Sequence, residues 1–122
     1  MQVFLTKGMA RFTRHERISE ESLREAILRA EMGLIDADLG GGLIKQRVAR
    51  AGKGRSGGYR TIVAYRRAGR AVFLYGFGKS ERDNIGPDEL SELRVVGRNW
   101  LQASPEKIVE AVERKILREV IV

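Results

Sequence analysis

Leu43-Ile-Lys-Gln-Arg-Val48, Tyr59-Arg-Thr-Ile-Val-Ala-Tyr-Arg66 and Ala71-Val-Phe-Leu-Tyr-Gly-Phe77 are three short runs in close succession, and their reading decides the fold. In the first, Leu43, Lys45 and Arg47 fall on one face of a strand while Ile44, Gln46 and Val48 fall on the other, a period of two. The second and third runs are rich in β-branched and aromatic residues and are joined by a turn around Arg67-Ala-Gly-Arg70. Together they predict a three-stranded antiparallel meander. Ala51-Gly-Lys-Gly-Arg-Ser-Gly-Gly58 reads as a flexible connection, because four glycines in eight residues hold regular structure only at high entropic cost.

Helical signals flank the meander on both sides. Ser19 can cap a helix over about 20–32, with Ile18 and Leu23 placed as a hydrophobic staple and Leu23, Ala26, Ile27 and Ala30 on one face before Gly33 stops it. Residues 6–17 suit a preceding short helix, packed as an antiparallel pair with the next, and Val3 to Leu5 a short strand that could add an edge to the meander. Beyond the meander, Pro87 with Asp88 and Glu89 opens a third helix carrying Leu90, Leu93, Val96, Trp100 and Leu101. Ser104 and Pro105 open a fourth, on which Ile108, Val112, Ile116 and Val120 recur every four residues. The predicted order is β-α-α-β-β-β-α-α, an α+β fold in one domain spanning 1–122.

Composition narrows the chemistry. The chain has no cysteine and a single histidine, His15, so neither a thiolate site nor a histidine zinc cluster is expected, and no cofactor is called for. Its apolar runs are too short for a membrane span or a signal peptide, which points to a cytoplasmic protein with no membrane partner. Net charge is +7, but its distribution says more than its total. From Lys45 to Arg82 there are eleven basic residues against one acid, a local charge of +10, whereas the rest of the chain carries −3. Such a segment is expected to meet a polyanion.

RNA cleavage without a metal needs a base for the ribose 2′-hydroxyl, charge stabilisation for the phosphorane-like transition state, and support for the leaving 5′-oxygen. A lysine crowded by cations can serve as a base, because like charges disfavour its protonated form, and Lys45 beside Arg47 is the pair that fits. Arg60 could instead be a salt-bridge partner for the helices, the lesser of its two readings. Tyr59, Tyr65, Phe73, Tyr75 and Phe77 alternate as core residues do, though such rings can also stack on bases. Gly52 to Gly58 departs from the Gly-x-x-x-x-Gly-Lys-Ser/Thr phosphate loop and no helix follows it, so a nucleoside triphosphate site is rejected. Arg50, Lys53, Arg55 and Tyr59 are candidates for RNA contact.

Three blocks then carry a resemblance: Leu39-Gly-Gly-Gly-Leu-Ile-Lys-Gln-Arg-Val-Ala-Arg50, Gly52-Lys-Gly-Arg-Ser-Gly-Gly-Tyr-Arg60 and Tyr75-Gly-Phe-Gly-Lys-Ser-Glu-Arg-Asp-Asn-Ile85. In this order they resemble the RelE/ParE superfamily, most closely its HigB-like branch. The resemblance implies a RelE-like fold, a small antiparallel sheet with two amino-terminal helices packed on it and carboxy-terminal helices. It also implies the toxin of a type II toxin–antitoxin pair, an endoribonuclease that enters the ribosomal A site, cuts messenger RNA to 2′,3′-cyclic phosphate ends and so inhibits translation. A cognate antitoxin would wrap it, with a higher-order complex on operator DNA through that antitoxin. Lys45, Arg47, Arg60, Lys79 and Arg82 match the family's basic catalytic positions. The match departs at Ser80, where members carry an arginine thought to act as the acid, and at residues 84–87, which lack a base-stacking tyrosine. Arg47 also replaces a lysine, and arginine is a poor base.

Two other readings stay open: a ParE-like toxin acting on DNA gyrase, against which the retained Lys45, Arg47, Arg60 and Gly78-Lys79 argue, and a non-enzymatic nucleic-acid-binding module. In the toxin reading, the antitoxin would cover the basic sheet or displace the carboxy-terminal helix and its apolar stripe.

Overall fold

The computed structural model describes residues 1–50, 54–78 and 85–122, with the side chains of 54–56 excepted. Among the described residues ten elements follow one another: β1 (Gln2–Thr6), α1 (Lys7–Glu16), α2 (Glu20–Glu31), β2 (Ala37–Gly40), β3 (Leu43–Arg50), β4 (Gly54–Arg66), β5 (Arg70–Gly78), α3 (Pro87–Gln102), α4 (Pro105–Glu113) and β6 (Leu117–Val120). The strands form one sheet in the order β2-β3-β4-β5-β1-β6. The predicted meander is its centre, with β3, β4 and β5 paired antiparallel. The fold is α+β.

Helices cover both faces. On one, α1 and α2 bury Met9, Leu23, Ala26 and Ile27 against Val3, Leu5, Ile44, Val48, Val63 and Phe73. On the other, α3 and α4 lay Leu90, Leu93, Trp100 and Ile108 over Phe4, Leu43, Ile62, Ala64 and Val72. Strand alternation explains the division, since successive side chains of β3 and β4 go to opposite clusters. Each large aliphatic side chain fully buried this way contributes roughly 1.5–3 kcal/mol. Gly97 lets α3 approach closely: a Cβ there would lie 2.8 Å from Leu43 Cδ2 and 3.1 Å from Ala64 Cβ.

The helix starts follow from their caps. Ser19 Oγ accepts from Ser22 N at 3.1 Å and Ser104 Oγ from Lys107 N at 3.1 Å, while Gly86 precedes Pro87 at the head of α3. Gly33, at a φ of 82°, follows α2 where the spacing places its end.

Several expectations are corrected. Val3 to Leu5 does not cap the meander as an outer edge: β1 pairs parallel with β5 and antiparallel with β6, so it lies inside the sheet, where its continuous apolar run belongs. The carboxy-terminal stripe is not one helix. α4 stops at Glu113, Lys115 takes a φ of 60°, and Leu117–Val120 becomes β6, because the open edge of β1 offers that segment a full ladder and Val120 a buried seat. The four-residue spacing of Ile108, Val112, Ile116 and Val120 is therefore coincidental. β2 is an additional strand, and β4 begins at Gly54, inside the glycine stretch expected to be a loop. α1 and α2 lie on the sheet, α2 over β3 and α1 over β5 and β1, more than on each other.

Candidate catalytic and nucleic-acid face

Cross-strand register assembles a basic grid. Arg47 of β3 pairs with Arg60 of β4, which pairs with Phe77 of β5; in the next row Lys45 pairs with Ile62, and Ile62 with Tyr75. Directly paired residues share a face with Cβ atoms about 4.5–5.5 Å apart. Lys45, Arg47 and Arg60 thus converge on the α3 face of the sheet, beyond the part that α3 covers. Arg47 is exposed, and Lys45 and Arg60 are half-buried.

Among the described residues these cations lack the usual counter-charges. Among the described residues, no carboxylate forms an ion pair with Lys45, Arg47 or Arg60. Arg60 Nη1 is out of contact with solvent and without a hydrogen-bond partner among the described residues. A buried donor left unmade costs roughly 1–3 kcal/mol, so such a group gains by meeting an anionic oxygen. The alternative in which Arg60 pairs with the helices finds no support among the described residues.

Tyr75 reaches this face through an irregularity. The β4–β5 register shifts between Ile62 and Val63, so that Val63 pairs with Phe73 and Ile62 with Tyr75. This extra residue on β5 inverts the alternation. Tyr75 and Phe77 turn to the basic face, their ring centroids 5.9 Å apart, while Gly76 faces Phe12 of α1. Strict alternation would have put Tyr75 beside Phe73 in the opposite core, and no sequence signal marks the bulge.

A buried network behind β3 holds Arg47 in place. Arg29 of α2 is 5% exposed; its Nη2 donates to the Arg47 carbonyl, its Nε to Glu25 Oε2 at 2.6 Å and its Nη1 to Asp36 Oδ2 at 3.4 Å. Asp36 Oδ2 also accepts from the Arg47 backbone N–H at 2.7 Å. Buried Gln46 adds a clamp, its Oε1 accepting from Asp36 N at 2.8 Å and its Nε2 donating to the Ala26 carbonyl at 2.9 Å. Both polar groups of the Arg47 peptide segment are thus engaged by α2 and the loop after it. Neither Arg29 nor Gln46 stands out in the sequence as more than a helix or strand residue. The signal available is a polar side chain at an inward position of β3.

Other expected residues lie elsewhere. Tyr59 is 3% exposed on the α1 face, edge-on to Phe12 at 5.5 Å, and its hydroxyl donates to Glu16 Oε1 at 2.9 Å. Hydrogen bonds from His15 and then Tyr59 hold the Glu16 carboxyl below its ordinary range. Tyr59 is therefore a core residue whose ring is not open for stacking on a base. Arg50 lies over the Tyr59 ring at 5.6 Å, on that same side and away from Lys45, Arg47 and Arg60. Lys53, Lys79 and Arg82 lie outside the described residues, as does the side chain of Arg55.

The +10 segment is not all binding surface. Arg70 is 5% exposed and its Nη1 donates to the Trp100 and Ala103 carbonyls at 2.8 and 2.9 Å, while Arg66 Nη1 donates to the Leu101 carbonyl at 2.8 Å. These two arginines satisfy the carboxy-terminal carbonyls of α3. Burial lowers the Arg70 pKa. Among the described residues no three His, Cys, Asp or Glu side chains group as metal ligands, and no helix is long and apolar enough to cross a membrane.

A family model described as the RelE toxin of the RelE/RelB toxin–antitoxin system matches residues 1–120. No curated protein matches the chain.

Proposed function

The chain belongs to the RelE toxin family, a branch of the RelE/ParE superfamily of toxin–antitoxin toxins that generally cleave messenger RNA, and from this premise we propose that it is a ribosome-dependent, metal-independent endoribonuclease. Family membership also implies a cognate antitoxin partner. The observation that carries the catalytic reading is the convergence of Lys45, Arg47 and Arg60 on one sheet face, with Arg60 Nη1 buried and unpartnered among the described residues.

In the proposed reaction, Lys45 accepts the proton of the ribose 2′-hydroxyl as that oxygen attacks the adjacent phosphorus. The bond from phosphorus to the 5′-oxygen breaks, leaving a 2′,3′-cyclic phosphate and a 5′-hydroxyl that takes up a proton. Arg60 and Arg47 stabilise the charge gathered on the non-bridging oxygens, a role that fixed guanidinium donors fill well. Lys79 or Arg82 supports the leaving oxygen; this assignment comes from their match to the family motif. Tyr75, half-buried on the same face, offers a ring to the bases where the family's tyrosine is missing from 84–87. The resemblance of the three sequence blocks supports assignment to the HigB-like branch as part of this proposal, and its antitoxin complex would act on operator DNA in the cytoplasm.

Pulse-labelling of protein and DNA synthesis after induced expression tests this reading. Translation should stop first while replication continues. Arrest of replication alone would assign the chain to gyrase-directed toxins, and arrest of neither would leave a passive nucleic-acid binder.

A further inference from the structure

A groove of about 420 Å³ lies at the other margin of the sheet, between α1 and the turn that leads from α4 into β6. Lys7, Arg14, Lys115 and Arg118 line it, with Ala10 and Leu117 also in its lining. Glu119 is the single acid among the described lining residues. Linear charge counting hides this cluster, because its members come from opposite ends of the chain. The β1–β6 ladder joins them: Leu5 pairs with Arg118 and Thr6 with Leu117, which sets the start of α1 beside the turn at Lys115.

Three features mark the cluster as more than solvated surface charge. Among the described residues none of the four cations is in an ion pair. Arg118 Nε is out of contact with solvent and has no hydrogen-bond partner among the described residues. Lys115 sits at a φ of 60° just past the cap of α4, a position where glycine is favoured and a lysine is strained. The groove is separate from the basic grid. Arg118 shares the α1 face with its partner Leu5, whereas Lys45, Arg47 and Arg60 occupy the α3 face. β6 is three strand steps from β4, about 15 Å across the sheet.

We infer that this groove is a second phosphate-binding site, which holds the sugar–phosphate backbone of RNA away from the reacting face. Its lining contains no aromatic side chain among the described residues, and lysine and arginine make up half of it beside the small apolar floor of Ala10, Val112 and Leu117. Protein-binding surfaces are enriched in aromatic anchors and depleted in lysine, whereas nucleic-acid surfaces are strongly positive. The inference rests on the ribonuclease reading only in taking RNA as the polyanion.

The test is fluorescence anisotropy of a labelled single-stranded RNA oligonucleotide with the full chain, titrated at several salt concentrations. Lys115→Gly removes one charge while relieving its backbone, so it should melt no lower than the parent. Combined with Arg118→Gln and Lys7→Ala, it should weaken RNA binding at least about tenfold at low salt. The log–log salt slope should fall by about 2, since each phosphate of a single strand that the protein no longer neutralises takes about 0.7 from it. Unchanged affinity and slope in the folded variant would overturn the site. So would intact RNA binding with lost binding to poly-glutamate, which would assign the groove to an acidic protein partner. Cleavage by an Arg60→Ala variant reports on the ribonuclease reading separately, because RNA affinity at the groove is read whether or not the protein cuts.

Discussion

Arg47 of β3 stands directly opposite Arg60 of β4, so two guanidinium groups share one row of a sheet face with no acid paired to either among the described residues. Like charges in that relation oppose folding, and they favour any anion that enters between them. Under the proposed mechanism, stability and activity are therefore set against each other at Arg60. Arg60→Ala should cut the rate of messenger RNA cleavage about a hundredfold, equivalent to about 3 kcal/mol of transition-state stabilisation, with the fold intact. Arg60→Met should raise stability by about 1 kcal/mol in urea unfolding, since it removes an unmade donor and a like charge while keeping most of the side-chain volume. Full cleavage activity in either variant would remove Arg60 from the site.

Arg29 should matter for stability and, through Arg47, for activity. Arg29→Met leaves the Arg47 carbonyl without its side-chain donor and Asp36 without its cation, at a cost of about 3 kcal/mol. Adding Asp36→Asn should recover part of that loss, because the stranded charge goes with it. Strictly additive effects in urea unfolding would show that the two side chains do not act as one unit.

Gly97 should tolerate no large side chain. Gly97→Leu gains helix propensity of about 1 kcal/mol but drives a side chain into Leu43 and Ala64, and the overpacking should exceed that gain by about 2 kcal/mol. A variant that melts at the parent temperature would mean that α3 can lift from the sheet without loss.

The Tyr65–Glu31 pair should give stability a measurable pH dependence. The Tyr65 hydroxyl donates to Glu31 Oε2, and Glu31 also accepts from the Ala68 backbone at 3.1 and 3.3 Å. The tyrosine hydrogen bond is the main reason that the Glu31 carboxyl titrates below its ordinary 4.5. Burial and the same carboxylate raise the Tyr65 pKa. A lowered carboxyl pKa stabilises the fold above the unfolded value, and that contribution disappears as pH falls through the folded one. The melting-temperature gap between the parent and Tyr65→Phe should therefore be widest at neutral pH and narrow below 4.5. A gap that stays constant in acid would show that the ionised carboxylate is not the acceptor that matters.

How far the sequence can be read depends on the range of the interactions. The caps at Ser19 and Ser104, the meander and the pairing of Lys45 with Arg47 on one face are local, and period and capping residues disclose them. The conversion of Leu117–Val120 from helix to strand depends on β1, more than a hundred residues earlier in the chain, and no window of local pattern contains that partner. Tyr75 escapes the pattern for a different reason. One bulge inverts every later side chain of β5, so a correct strand assignment still gives the wrong face. Arg66 and Arg70 count toward the binding surface in a linear reading because sequence shows a charge and not the helix end that it satisfies.

Placing β1 between β5 and β6 also orders events in time. β3, β4 and β5 meet neighbours along the chain, so the basic face can assemble while the last third is still being synthesised. β1 must wait for residues 70–73 before it has a partner, and its second edge stays open until 117–120 arrive. Pairings of such long sequence separation slow folding. The basic face should thus be an early product of folding and the cationic groove the last part of the molecule to exist.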